Sequence, residues 1–286
     1  MQLAASGGTR RWRTAGGAFW LFLAGALAAG SGCRYIALDD PADQREEPAS
    51  DQVGTRLGGL EAQLVGPVAE GERGGEVIVL LHGWGATGDD LVSLAELLAH
   101  PRLSFVVPAA PLSHPRGGRM WWPLDMEKRR QQLLAGKQRD LSAELPPGLG
   151  PARAKVLALL QEVRRKFDPR VLTVAGFSQG GMLAMDVALA ADPPVDRVAV
   201  LSGTLLAEPV WVPHMKRLAA SKDRPAVFVS HGRRDRILPL RMAERLRDRL
   251  RAHGFSVTWF PFADGHAIPP TVIDALGDFL LRPDHG

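Results

Sequence analysis

Ser178, Asp235 and His266 have the residue types that acyl-transfer chemistry needs. A serine hydroxyl is a weak nucleophile until a base takes its proton, and an imidazole turned by a carboxylate is such a base. Ser178 lies in Gly176-Phe177-Ser178-Gln179-Gly180, a G-x-S-x-G pentapeptide. Its glycines allow a sharp strand-to-helix turn that lifts the hydroxyl clear of the backbone. Asp235 follows His231-Gly232-Arg233-Arg234, and His266 ends Asp264-Gly265-His266. The backbone N–H of Gln179, at a helix start, and that of Trp84 are the expected donors to a developing oxyanion. Each residue also has a plainer reading. Asp235 could cap a turn before Pro239, and His266 could be a surface histidine. Asp264 is a neighbouring acid, too close in sequence to turn the His266 ring easily.

These side chains meet only if the right elements hold them. Val171–Ala175 is a β-branched, apolar run ahead of the pentapeptide, and Met182–Leu189 is a periodic apolar segment behind it. Glu76–Leu81 (E-V-I-V-L-L) is continuously apolar after its first residue, as a strand buried on both faces of a parallel sheet must be. It runs into His82-Gly83-Trp84-Gly85-Ala86-Thr87-Gly88-Asp89-Asp90, then a helical pattern over Leu91–His100. That loop lacks the G-x-G-x-x-G and Walker lysine of a phosphate cradle. His82, between a strand and a glycine, reads as structural. Further strands are expected at Ser104–Val107, Arg197–Ser202, Ala226–Ser230 and Ser256–Phe260, and helices at Pro151–Phe167, Leu240–His253 and Ile268–Leu281. Strand–helix alternation predicts an α/β fold, a doubly wound, mostly parallel sheet with helices on both faces. All parallel strands end on one edge of such a sheet. Residues 178, 235 and 266, spaced 57 and 31 apart, can therefore converge there.

Arg119–Asp125 (R-M-W-W-P-L-D) sets two tryptophans in a proline-bounded loop. They either pack against the core or wall a substrate pocket; Trp121, Trp122 and Met182 are the pocket residues expected. Met126–Gly150 reads as an insertion without a strand. His100, His114, His214, His253 and His285 show no metal-ligand spacing, so neither metal nor cofactor is expected. Ser202 and Ser230 end strands but have no elbow.

Composition narrows the class. Hydrophobic residues are 45% and charged residues 23%, as in a globular protein of one catalytic domain. The net charge of +4 is spread along the chain, without a basic stripe interleaved with aromatics, so no nucleic-acid partner is expected. Cys33 is the lone cysteine, which excludes an intrachain disulfide. Residues 1–33 combine Arg10, Arg11 and Arg13 with an apolar stretch, Ala15–Ala29, too short to span a membrane comfortably. Small residues then lead to Cys33. The pattern resembles a bacterial lipoprotein signal, with Gly30 where an aliphatic residue is usual. Cleavage after Ala28 and a retained anchor are the rival readings. Export with lipid on Cys33 would tether the protein to a membrane. Residues 34–56, polar and proline-punctuated, read as a linker, and the catalytic domain as 57–286.

L-H-G-W-G-A-T-G-D-D, V-P-A-A-P, W-W-P-L-D, G-F-S-Q-G-G, L-S-G, H-G-R-R-D-R-I-L-P and D-G-H occur in that order. Over roughly residues 60–282 they resemble the phospholipase/carboxylesterase family of α/β-hydrolases, which includes acyl-protein thioesterases. The resemblance implies an α/β-hydrolase fold, Ser178, Asp235 and His266 as a triad, and Trp84 and Gln179 as oxyanion donors. It implies cleavage of small-molecule or lipid esters, short- to medium-chain carboxylic esters with thioesters as a related class. A lysophospholipase acting at the membrane and a non-catalytic binding lipoprotein are the alternatives. The long Met126–Gly150 insertion and the bulky Trp84 depart from the compact members and bear on substrate choice.

Overall fold

Buried apolar runs alternate with amphipathic ones along the chain, and the secondary structure follows that alternation. The computed structural model describes residues 53–125, 131, 134–135 and 139–283. The targeting segment with Cys33, most of the linker and part of the 126–150 insertion lie outside the described residues.

The strands are β1 (Val53–Leu57), β2 (Leu60–Val65), β3 (Glu76–Leu81), β4 (Leu103–Pro108), β5 (Leu112–Ser113), β6 (Arg119–Met120), β7 (Val171–Phe177), β8 (Arg197–Leu201), β9 (Ala226–Gly232) and β10 (Val257–Phe262). The helices are α1 (Val92–Leu97), α2 (Leu149–Phe167), α3 (Gln179–Ala190), α4 (Glu208–Ala219), α5 (Leu240–Ala252) and α6 (Pro270–Leu280). Eight strands form one sheet in the order β1-β2-β4-β3-β7-β8-β9-β10, and β5 and β6 make a separate hairpin. From β4 to β10 every neighbouring pair is parallel. β1 and β2 extend one edge antiparallel. The doubly wound, mostly parallel sheet expected from the alternation is the one observed.

Each inner strand divides its side chains between two cores, as period-2 geometry dictates. Val77, Val79 and Leu81 of β3 face α2–α5, whereas Ile78 and Leu80 face α1 and α6. Among the described residues, these four helices therefore cover one face and these two the other. Chain order reverses between β3 and β7, which places a crevice beyond their C-terminal ends. The register runs Leu81 beside Gly176, Phe177 beside Leu201, Leu201 beside Ser230, and Gly232 beside Phe262. The ends that carry the candidate residues thus share one edge. At the other end of β3, buried Glu76 accepts hydrogen bonds from Arg102, Arg170 and Arg197 at 2.7–3.1 Å, which satisfies a carboxylate that would be costly to bury alone.

Several elements differ from the sequence expectation. Among the described residues regular structure starts at Val53, where β1 and β2 form an antiparallel ribbon, and Leu57, the expected domain start, falls at the end of β1. Their half-buried alternation lacks the continuous apolar run that marks the inner strands. Helix α4 was not anticipated, since Pro209 and Pro213 interrupt its pattern; Pro209 lies in the first turn, where the missing N–H costs nothing. Helix α1 spans only Val92–Leu97, shorter than the pattern from Leu91 to His100 suggests. Among the described residues no helix is long and apolar enough to cross a membrane.

Candidate active site

Steric closeness dictates the elbow. A Cβ on Gly180 would lie 2.0 Å from the Leu81 carbonyl oxygen, and one on Gly176 would lie 2.4 Å from the Gly180 carbonyl. Only glycine lets β3, β7 and the first turn of α3 approach this nearly. Between them Ser178 is forced to φ 55° and ψ −114°, a conformation that costs a residue with a Cβ about 1–3 kcal/mol. Its amide donates to Leu201 O at 2.9 Å, and its carbonyl accepts from Met182 N at 3.1 Å, so both neighbouring elements hold the strained turn. Gln179 opens α3. Its amide belongs to the first turn, where the helix supplies no acceptor.

The loop after β3 lies against this turn. A Cβ on Gly83 would come within 3.6 Å of Ser178 Cβ, so the next residue, Trp84, is close to the serine. The hairpin β5–β6 stitches that loop in place: Gly85 N donates to Arg119 O at 2.8 Å and Arg119 N to Ala86 O at 2.6 Å. The Trp84 indole stands edge-on to the His114 ring, with centroids 4.2 Å apart.

Beneath the elbow is a polar tie absent from the sequence reading. The Gln179 side chain accepts from Trp121 N at 3.0 Å and donates to Trp122 O at 2.9 Å. Trp121 Nε1 donates to His82 O at 3.0 Å. Trp121, Trp122 and Met182, expected at the pocket, lie instead in the core cluster with 1%, 1% and 3% exposure. Their packing props up the two loops that flank Ser178. His82 is structural, as expected: its Nδ1 donates to Gly83 O at 2.8 Å and its Nε2 accepts from Ala110 N at 2.9 Å. Burial pushes its pKa down from 6.5 to about 4.

Asp235 and His266 arrive from adjacent strand ends. A Cβ on Gly232 would be 2.0 Å from Gly265 O, so glycine is needed where the loop after β10 crosses the end of β9. Asp235 Oδ2 faces His266 Nδ1 at 2.7 Å, while Oδ1 accepts the amides of Ile237 and Leu238 at 2.8 and 2.9 Å. Burial alone would raise the Asp235 pKa. Hydrogen bonds from His231 and His266, the charge of His266 and the Leu238 amide outweigh it and hold the carboxyl well below the usual carboxylate range. The His266 ring packs on Phe177, centroids 4.8 Å apart, and so lies beside Ser178. No hydrogen bond joins Ser178 to His266 among the described residues; such contacts often tighten only when substrate binds. Asp264 instead pairs with Arg234 at 3.7 Å. Among the described residues no cluster of His, Cys, Asp and Glu could hold a metal ion.

The chain has known relatives. The model of the Phospholipase/Carboxylesterase family matches residues 68–282. Acyl-protein thioesterase 1 of Gibberella zeae is 26% identical over 235 residues, spanning 78% of this chain and 96% of that protein. Lysophospholipase-like protein 1 of Mus musculus is 26% identical over 122 residues, 42% of this chain and 50% of that protein. Among solved structures, esterase PE8 gives a TM-score of 0.62 at 25% identity, covering 80% of this chain and 97% of that one. A carboxylesterase from Mesorhizobium loti gives 0.62 at 20% identity, covering 82% and 100%, a likeness of fold. With the family's pattern matched over most of its length, this chain belongs to the phospholipase/carboxylesterase family.

Proposed function

We propose that the protein is a serine hydrolase that cleaves short- to medium-chain carboxylic esters, and thioesters of similar size, through an acyl-enzyme. The observation that carries the reading is the His266–Asp235 contact of 2.7 Å, set beside a serine held at positive φ. In this mechanism His266 takes the hydroxyl proton of Ser178 as its oxygen attacks the ester carbonyl. The amides of Gln179 and Trp84 receive the oxyanion, worth several kcal/mol of barrier lowering. Asp235 keeps the imidazole in the tautomer that presents an unprotonated Nε2 and stabilises the imidazolium that forms. The tetrahedral intermediate collapses as His266 passes its proton to the leaving oxygen or sulfur. Water, activated by the same base, then releases the acid.

The test is hydrolysis of p-nitrophenyl esters from acetate to palmitate by the full chain and by its Ser178→Ala variant. Loss of at least about 10³-fold in kcat in the variant is expected. Undiminished activity in Ser178→Ala would refute the serine mechanism, and a profile weighted to the longest chains would favour a lysophospholipase. We further propose, from residues 1–33 alone, export and lipid attachment at Cys33. Cys33→Ala should then move the protein to the soluble fraction, and a variant that stays membrane-bound would refute the attachment.

A further inference from the structure

His231 lies at the end of β9 with its side chain fully buried. Its Nε2 faces Leu238 O at 2.8 Å and stands 3.3 Å from Asp235 Oδ2. A carbonyl oxygen only accepts, so Nε2 carries a proton. Nδ1 is buried with no partner among the described residues. All the polar engagement of this ring is therefore aimed at the loop that holds Asp235, at the cost of an unsatisfied nitrogen on its other side. An apolar side chain of similar size would fill the space without that cost. The oxygen it approaches is Oδ2, the one that also faces His266.

We propose that His231 is a positioning residue for the triad: its Nε2–H, bonded to Leu238 O, also lies within reach of Asp235 Oδ2, competes there with His266 for the carboxylate, and so sets the acid limb of the activity profile. The inference rests on the triad of the preceding section. A carboxylate with one donor fewer is the stronger base. It stabilises the imidazolium more and moves the acid limb of the activity profile to higher pH. Other charges around the pair point elsewhere. Arg233, Arg234 and Arg236 are exposed on either side of Asp235, and Arg234 pairs with Asp264. β7 contributes the uncharged Phe177, and the loop after β8 contributes Ser202, whose hydroxyl donates to Ala267 O at 3.2 Å.

The experiment is the pH dependence of kcat/KM for the full chain carrying His231→Leu, His231→Asn or His231→Gln. Stability falls toward acid pH, so each variant's folded fraction is followed by circular dichroism across the range, and the limb is read only where the sample is folded. The leucine variant, and the asparagine variant whose shorter amide cannot reach Oδ2, should move the acid limb up by about half a pH unit. Relative to its own plateau, kcat/KM on that limb then falls about threefold. Glutamine, whose amide nitrogen reaches the place of Nε2, should return the limb to the wild-type position. Superimposable limbs in all variants, with only the plateau lowered, would overturn the proposal and leave His231 a packing residue. Ser178→Ala separates the two readings: activity in that variant removes the triad itself, whereas an inactive variant with unmoved limbs removes only the role of His231.

Discussion

Replacing His82 by glutamine should change how the stability of this protein depends on pH, by an amount the buried site specifies. His82 is 0% exposed and is wired between Gly83 O and Ala110 N, so it has no room for a second proton. Burial lowers its pKa from 6.5 to about 4. In the unfolded chain the imidazole binds a proton below about pH 6.5, while in the folded protein it stays neutral until about pH 4. The unfolded state therefore gains protons over that window, and stability falls as pH drops through it. Linkage puts the loss at about 2 kcal/mol by pH 5 and about 3 kcal/mol by pH 4, relative to pH 7. Glutamine does not titrate, so the variant escapes this loss, whatever its own packing defect. The assay is urea unfolding followed by tryptophan fluorescence at pH 7, 6, 5 and 4, for both proteins. The wild-type advantage at pH 7 should shrink by about 2 kcal/mol at pH 5. A gap constant across the range would mean that His82 ionises alike in both states, and the account of a closed, neutral histidine would be wrong.

Asp90, in the same loop, should show the opposite sign. Burial pushes its pKa up from 3.8 to about 6, and the amides of Gly88 and Asp90 offset only part of this. Its charged form is disfavoured on folding, so stability is lost as pH rises from about 4 through 6. Asp90→Asn should gain up to about 3 kcal/mol at pH 8 and little at pH 4, read as the shift in Tm; a variant less stable than wild type at pH 8 would refute this. Gly180→Ala should lose about 3 kcal/mol or more, since its Cβ would meet backbone at 2.0 Å, and should lose activity as the end of β3 shifts. Gly150→Ala in α2, whose methyl would meet nothing within 4 Å beyond its chain neighbours, should change stability far less. Equal urea midpoints for the two alanine variants would contradict the packing described.

Much of the fold was legible because its signals are local. Glu76–Leu81 and Val171–Ala175 are continuously apolar apart from Glu76 and Thr173, and a strand buried on both faces needs such a run. β2 alternates more weakly, with a half-buried rhythm that carries no continuous apolar run. Helix α4 was hidden by its prolines, whose cost depends on where the helix starts. G-x-S-x-G, H-G-R-R-D and D-G-H marked Ser178, Asp235 and His266 because each sits where a strand ends and the backbone must turn. The tryptophan pair had two open readings. Only the tertiary structure, which buries both indoles in the core while Gln179, 58 and 57 residues away, ties their backbone, decided for packing.

His231 shows where that boundary lies. Its motif was read for the aspartate it introduces, and nothing local distinguishes it from any other histidine at the end of a strand. The sequence by itself determined the strand–helix order, the turn that strains the serine, and the chain order of the three reactive side chains, all of which follow from spacing and residue type. Tertiary structure decided which oxygen of Asp235 faces His266, that His231 reaches the same oxygen, and that Gln179 ties the elbow to a buried tryptophan loop. Those contacts depend on how loops from separate strands meet at one sheet edge, and distances there are set to a few tenths of an ångström by packing that no local pattern encodes.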